Sequence, residues 1–249
     1  MRTAGGSGRR WGRLLGVLAI TPVLRWAVAT HSVPPGEPWR TACPGCRTPI
    51  DAAGPPRALS PLARCSACGT RIGAPPFAVE AVAVLALVTT LSAGHPWPVT
   101  VALVWWTGWM IPLAFVDVAV HRLPDRLTYP AAAGSWALLG LAAGVTGEPA
   151  AWVRAIAAAG GLALLFAATT LVFGTRGFGL GDAKLALSIG AVLGWFGWPV
   201  VLLGMLVAFL GSGVTAVLLL AARRISWSQQ LPFGPFLVLG AVVGVLTAG

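Results

Sequence analysis

Residues 177–185 read GFGLGDAKL, three glycines alternating with bulkier residues before an aspartate and a lysine open a long apolar run. Two chemistries use such a stretch. A glycine-rich phosphate loop would place it in a nucleotide-binding sheet, whereas a carboxylate at the mouth of an apolar helix would place it at a membrane surface. The G-x-x-x-x-G-K-[ST] spacing is absent and nothing before the stretch reads as a Rossmann strand. That argues against the phosphate loop and leaves Asp182 to be explained as a carboxylate beside apolar chain.

Composition points the same way. Of the 249 residues, 57% are hydrophobic and only 10% charged, against about 25% charged in an ordinary soluble domain. Twelve tryptophans and 32 glycines suit membrane helices. Working outward from Asp182, the apolar segments are 14–30, 77–94, 99–116, 127–145, 152–173, 183–198, 199–222 and 236–248. Six of these eight are comfortable candidates for a membrane span. The expected fold is therefore an all-α polytopic membrane protein with about seven to eight transmembrane helices. The first segment carries Arg25 and the last is short, so these two are the weakest spans. The basic, then apolar, start resembles a signal peptide, but the reading adopted is an uncleaved first span. Pro112 is a candidate kink, and Pro199 marks the turn between two nearly continuous runs.

Net charge is +10. The basic residues do not form one patch, so a nucleic-acid partner is not expected; membrane lipid is. Arg40, Arg47, Arg57, Arg64 and Arg71 fall in 31–76, Arg122 and Arg126 in 117–126, Arg176 and Lys184 in 174–184, and Arg223 and Arg224 in 223–235. With alternating spans these four loops share a side, which the positive-inside rule makes cytoplasmic. Arg2, Arg9, Arg10 and Arg13 run against that scheme.

The topology puts Asp182 where a cytoplasmic loop enters a span and Asp117, in IPLAFVDVAVHRLPDRLTYP, where another span leaves for the same side. An ionisable group at a span is costly and usually functional. Two close carboxylates repel, so one keeps a proton and the pair can serve as base and acid together. That is the chemistry of aspartyl proteolysis. Gly177, Gly179 and Gly181 would let the backbone turn and a substrate strand approach. The plainer readings are a helix cap for Asp182 and a surface residue past a helix end for Asp117. Asp125 competes with Asp117 as the partner, or else caps the next helix. Lys184 either biases the local field or anchors the interface. His121 lies one turn beyond Asp117 if the helix continues, and is otherwise a loop histidine.

Residues 31–76 form the one sizeable segment without an apolar run. Within it lie CPGC, with Cys43 and Cys46, and CSAC, with Cys65 and Cys68, separated by 18 residues. Two such knuckles predict four thiolates on one structural zinc ion, and cytoplasmic placement disfavours disulfides. The expected organisation is a membrane segment at 1–30, a cytoplasmic zinc module at 31–76 and a transmembrane catalytic region at 77–249.

In combination these motifs resemble the bacterial prepilin peptidases, the type IV leader peptidases of the GxGD aspartyl class. FVDVAVHRLPDRLTYP is similar to the first family motif, whose leading aspartate matches Asp117, and GFGLGDAKL to the second, whose aspartate matches Asp182. The resemblance thus selects Asp117 over Asp125. The cysteine pairs with RCSACGTRIGAPPFAVE, and LPFGPFLVLGA at 231–241, extend the likeness over nearly the whole chain. It implies an enzyme of the bacterial inner membrane that cuts the leader from prepilin or pseudopilin substrates at the cytoplasmic face. In many members the new N-terminus is then methylated with S-adenosylmethionine. The chain departs from the family near the end of its first span. LRWAVATHSVPPGE at 24–37 lacks the usual asparagine, and Ser32 stands near the expected arginine. GAPPFAVE has Ala74 and Pro75 where a tyrosine usually precedes the proline, while Glu80 is retained. These departures touch the region linked to methylation more than the aspartates. On the residues alone two other classes stay open. A transporter would need polar groups at mid-span, of which few are present, and a non-catalytic pilus or secretion assembly protein would survive loss of either aspartate.

Overall fold

The computed structural model describes residues 6–50, 60–174, 178–226 and 231–248, with side chains from Ala19 onward. Its order is α1 (Gly6–His31), α2 (Ala78–Ser92), α3 (Trp97–Val120), α4 (Asp125–Thr146), α5 (Pro149–Phe173), α6 (Leu180–Phe196), α7 (Trp198–Ala221) and α8 (Gly234–Thr247). Every apolar segment expected from the sequence is a helix, and the described residues hold no strand beyond two isolated bridges. Among them α3, α5 and α7 are long and apolar enough to cross a membrane, while α2 and α8 are shorter apolar helices. The chain forms two compact units, Met1–Thr89 and Thr90–Gly249.

Local signals set the helix limits. Helices α3, α5, α7 and α8 each carry proline in the first turn, where a missing N–H costs nothing and the fixed φ is already helical. Helix α4 stops at Gly147, whose φ of 73° closes the last turn through an N–H to the Ala143 carbonyl.

In the second unit the short connections make successive helices antiparallel neighbours. Helix α6 lies at the centre, packed against α4, α5, α7 and α8. Accordingly Ala183, Leu185, Ala186 and all of Ser188–Trp195 are buried, the pattern of a helix enclosed on every side. Its outer neighbours bury narrow stripes: Ala151, Ala155, Ala158, Ala159 and Phe166 on α5, and Val201, Gly204, Met205 and Ala208 on α7. Their remaining surface is large and apolar, with Leu171 82% and Leu202 70% exposed, as a lipid-facing surface requires. Contact between such helices depends on small residues. The α7–α8 crossing is the clearest case, because a Cβ on Gly240 would stand 2.1 Å from the Gly204 carbonyl oxygen.

Arg154, near the start of α5, has a defined task. Its guanidinium donates to the carbonyls of Gly194 at 2.7 Å and Trp195 at 2.6 Å, the last turn of α6. A cation there satisfies carbonyls that have no partner within the helix and complements its dipole.

In the first unit, Arg25 of α1 and Glu80 of α2 form a buried fork. Arg25 Nε donates to Glu80 Oε1 at 2.6 Å and Nη2 to Oε2 at 2.5 Å, and Nη2 also reaches the Pro75 carbonyl at 3.3 Å. The arginine that weakens the first apolar segment and the carboxylate at the second thus neutralise one another.

Candidate functional site

The last turn of α3, the first turn of α6 and the start of α8 meet at one end of the second unit. Asp117 lies in that last turn and is 5% exposed. Helix α3 ends three residues later, where His121 takes a left-handed φ of 51° and gives its N–H to the Asp117 carbonyl. His121 is therefore an exposed loop residue beyond the helix end. The Asp117 carboxylate accepts the N–H of Gly234, Oδ2 lying 3.0 Å away.

Asp182 is the third residue of α6 and is half-buried. Gly179, not Asp182, occupies the cap position, and its N–H donates to Asp182 Oδ2 over 3.1 Å. That contact is the acidic half of a capping box, so the carboxylate has a structural task as well as its position at the site. Leu185, buried on α6 three residues after Asp182, approaches Gly234 closely enough that a Cβ there would lie 3.4 Å from its side chain. Gly234 thus stands between Asp117 and the turn of α6 after Asp182, which brings the two carboxylates to the same end of the unit. Two like charges brought together away from water are costly, and a close carboxylate pair relieves that cost by sharing a proton.

The remaining residues singled out around this end behave differently. Lys184 Nζ lies 2.6 Å from Asp125 Oδ1 and 5.6 Å from the centre of the Tyr129 ring. Asp125 opens α4 and is exposed; its carboxylate faces the lysine. Gly181 packs on Leu123, and Gly177 lies outside the described residues.

Four phenylalanines line the same end: Phe166 of α5, Phe178 of the loop before α6, Phe209 of α7 and Phe233 before α8. Sequence reasoning missed both this cluster and the role of Gly234. The signal for Gly234 was the LPFGP segment, which marks a special backbone without saying which side chain it serves.

In the first unit the cysteines converge. All four Sγ atoms lie within 4.8 Å of one another, with Cys43–Cys68 at 3.6 Å and Cys46–Cys65 at 3.7 Å. A tetrahedral zinc with Zn–S bonds of about 2.3 Å needs sulfurs about 3.8 Å apart, so the donor set fits that ion. The two knuckles are near copies. In each, the first cysteine's N–H donates to a threonine carbonyl five residues on, Thr48 or Thr70, at 2.8 Å. In each the first cysteine's carbonyl accepts an N–H from a residue of positive φ, Arg47 at 60° or Gly69 at 72°. The threonine hydroxyls stand 3.1 Å from Cys46 Sγ and 3.2 Å from Cys68 Sγ. The Thr48 hydroxyl brings the Cys46 thiol down to about 6, and Thr70 lowers Cys68 likewise. Burial instead raises Cys43 to about 11. Cys43 and Cys65 share a small core with Ile50, Ile72 and Ala29. The C-x-x-C-x-T repeat carried this signal in the sequence.

The family model described as the type IV leader peptidase family matches residues 103–220. The chain is 34% identical over 213 residues to the prepilin leader peptidase/N-methyltransferase of Aeromonas hydrophila, covering 83% of this chain and 71% of that protein. It is 33% identical over 211 residues to the protein of that name from Aeromonas salmonicida (strain A449), with coverage of 83% and 71%. It is 33% identical over 208 residues to that of Burkholderia pseudomallei (strain 1026b), with coverage of 81% and 65%. No solved structure matches the chain.

Proposed function

This chain belongs to the type IV leader peptidase family, and from that premise we propose that it is an aspartyl endopeptidase removing the leader from type IV prepilins or pseudopilins, with Asp117 and Asp182 as its catalytic pair. The observation that carries the reading is the convergence of these two carboxylates at one end of the second unit, each held by a glycine N–H.

The chemistry needs no covalent intermediate. One carboxylate takes a proton from water as the water oxygen bonds to the scissile carbonyl carbon. Its partner, carrying the shared proton, gives it to the carbonyl oxygen. Collapse of the tetrahedral diol breaks the C–N bond, and a proton passes to the leaving amine. Each carboxylate accepts one backbone N–H, Asp117 in a buried setting and Asp182 in a half-buried one. In two close carboxylates the proton belongs to the pair rather than to either member, as a base–acid exchange within one turnover requires.

The wider assignment is an inner-membrane protein with about seven to eight spans, its aspartates at the cytoplasmic face, as the basic loops support. It comprises a membrane segment at 1–30, a zinc module at 31–76 and a peptidase region at 77–249. Cys43, Cys46, Cys65 and Cys68 would hold the zinc, whose contribution is structural: it ties together two knuckles that share only a small apolar core. Lipid surrounds the protein, and nucleic acid is not a partner. The relatives' printed names add N-methylation. The mass of the processed pilin's first residue reads that activity, and the use of S-adenosylmethionine, separately from cleavage.

The deciding experiment places Asp117→Asn and Asp182→Asn, one at a time, in cells making a prepilin. Each variant is expected to insert normally and leave the prepilin uncut. Cleavage by either variant would sink the catalytic pair and favour a transporter or an assembly protein.

A further inference from the structure

The peptides that hold the two carboxylates have the same construction. The N–H given to Asp182 belongs to the Phe178–Gly179 peptide, and the N–H given to Asp117 to the Phe233–Gly234 peptide. A phenylalanine therefore precedes each donor glycine. The two rings pack on one another, centroids 4.8 Å apart and planes inclined at 47°. Both meet the buried ring of Phe166 edge-on, at 4.9 and 6.0 Å, and both touch Phe209, at 5.7 and 5.3 Å.

The far ends of the same peptides are fixed as well. The Phe178 carbonyl accepts the hydroxyl of Thr170 on α5. The Phe233 carbonyl accepts the N–H groups of Phe236 and Leu237 at 3.0 and 3.1 Å. A peptide unit is planar, so a ring at one Cα and an anchored carbonyl leave its N–H little freedom. Phe178 and Phe233 both lie outside the helices, and the direct link between their two segments at this point is aromatic.

We propose that the Phe178–Phe233 ring pair is the positioning element of the peptidase: it fixes the separation of Asp117 and Asp182 by joining the two peptides that hold them. This rests on the reading of those aspartates as the catalytic pair. The rings act through the glycine N–H groups, and substrate need not touch them. Slackening the pair would let one carboxylate drift from the other, and a misplacement of about 1 Å costs about a hundredfold in rate. A wall for the substrate's apolar stem, the competing use of four aromatic rings, would act on binding instead.

The test uses the full chain in lipid nanodiscs with a synthetic prepilin segment that includes its apolar stem. Phe178→Leu and Phe233→Leu should each lower kcat by about tenfold to a hundredfold with KM held within about twofold. The double variant should be no slower than the slower single variant, because one coupled unit has been broken once. Phe178→Tyr, which keeps the ring, should stay within about twofold of the unmodified rate. A rise in KM at constant kcat, losses that multiply in the double variant, or full activity in either leucine variant would overturn the proposal. Where a leucine variant does not fold, methionine at the same position fills the irregular gap with a flexible chain and removes the ring, with the same outcomes expected. Asp117→Asn and Asp182→Asn run alongside. If either still cleaves, the catalytic pair itself is wrong; if both are inactive while the leucine variants run at full rate, only the ring pair falls.

Discussion

Gly234 gives its N–H to Asp117 over 3.0 Å from 117 residues further along the chain. Its missing side chain matters as much as its N–H. A Cβ at this position would stand 2.7 Å from Asp117 Oδ2 and 3.3 Å from its Cγ. The carboxylate would have to turn away, while the next nearest side chain, Leu185, would sit at an ordinary 3.4 Å. Gly234→Ala is therefore expected to separate activity from stability. The variant should insert and melt close to the unmodified protein but cleave about tenfold to a hundredfold more slowly. Initial rates measured beside a thermal unfolding curve check this, and full activity would show that the orientation of Asp117 does not matter to cleavage.

Asp125 and Lys184 make the opposite prediction. Their ion pair is partly exposed, at 56% and 31% for the two side chains, and such pairs contribute about 0–1 kcal/mol. Asp125→Asn should keep cleaving within about threefold of the unmodified rate and lose little stability. Assayed beside Asp117→Asn, it decides which aspartate of the VDVAVHRLPD segment does the chemistry. An inactive Asp125→Asn beside an active Asp117→Asn would reverse the assignment.

The residues legible in the sequence were those whose meaning is local. The positions and lengths of the apolar runs gave the helices, and Pro199 the break between α6 and α7. Asp117 and Asp182 stood out as carboxylates at the ends of such runs. What could not be read were pairings across the chain. Arg25 weakened its own segment until Glu80, 55 residues away, supplied its countercharge. Lys184 looked like an interface anchor because its partner Asp125 lies 59 residues back. Gly234 could not be assigned to Asp117 without knowing that α8 starts where α3 ends. Phe178 and Phe233 gave no periodic signal, because both stand outside the helices.

The cysteine geometry predicts about one zinc per chain, read by elemental analysis of purified protein. Cys43→Ser or Cys65→Ser should abolish the metal. Thiols bind zinc only after losing their protons. Cys43, raised to about 11 by burial, is protonated at neutral pH without metal and must release its proton on binding. Zinc affinity should therefore fall as pH is lowered from 8 to 6, with proton release visible by calorimetry in buffers of different ionisation enthalpy. Purified protein devoid of metal, or affinity independent of pH, would contradict the thiolate site.

The Arg25–Glu80 fork makes a prediction about its own double variant. Both side chains are nearly buried, at 3% and 11% exposure, so removing one partner leaves the other charge without its counterion. Glu80→Leu alone should destabilise the first unit by about 3–5 kcal/mol, whereas replacing both residues by leucine should recover most of that loss. The cost of a buried pair lies in desolvation, which the double variant avoids, and not in the missing attraction. Thermal unfolding in one detergent, compared across the two single variants and the double, measures the coupling. If the double variant is as unstable as the sum of the singles, Arg25 and Glu80 do not answer one another, and α1 and α2 must be held by other contacts.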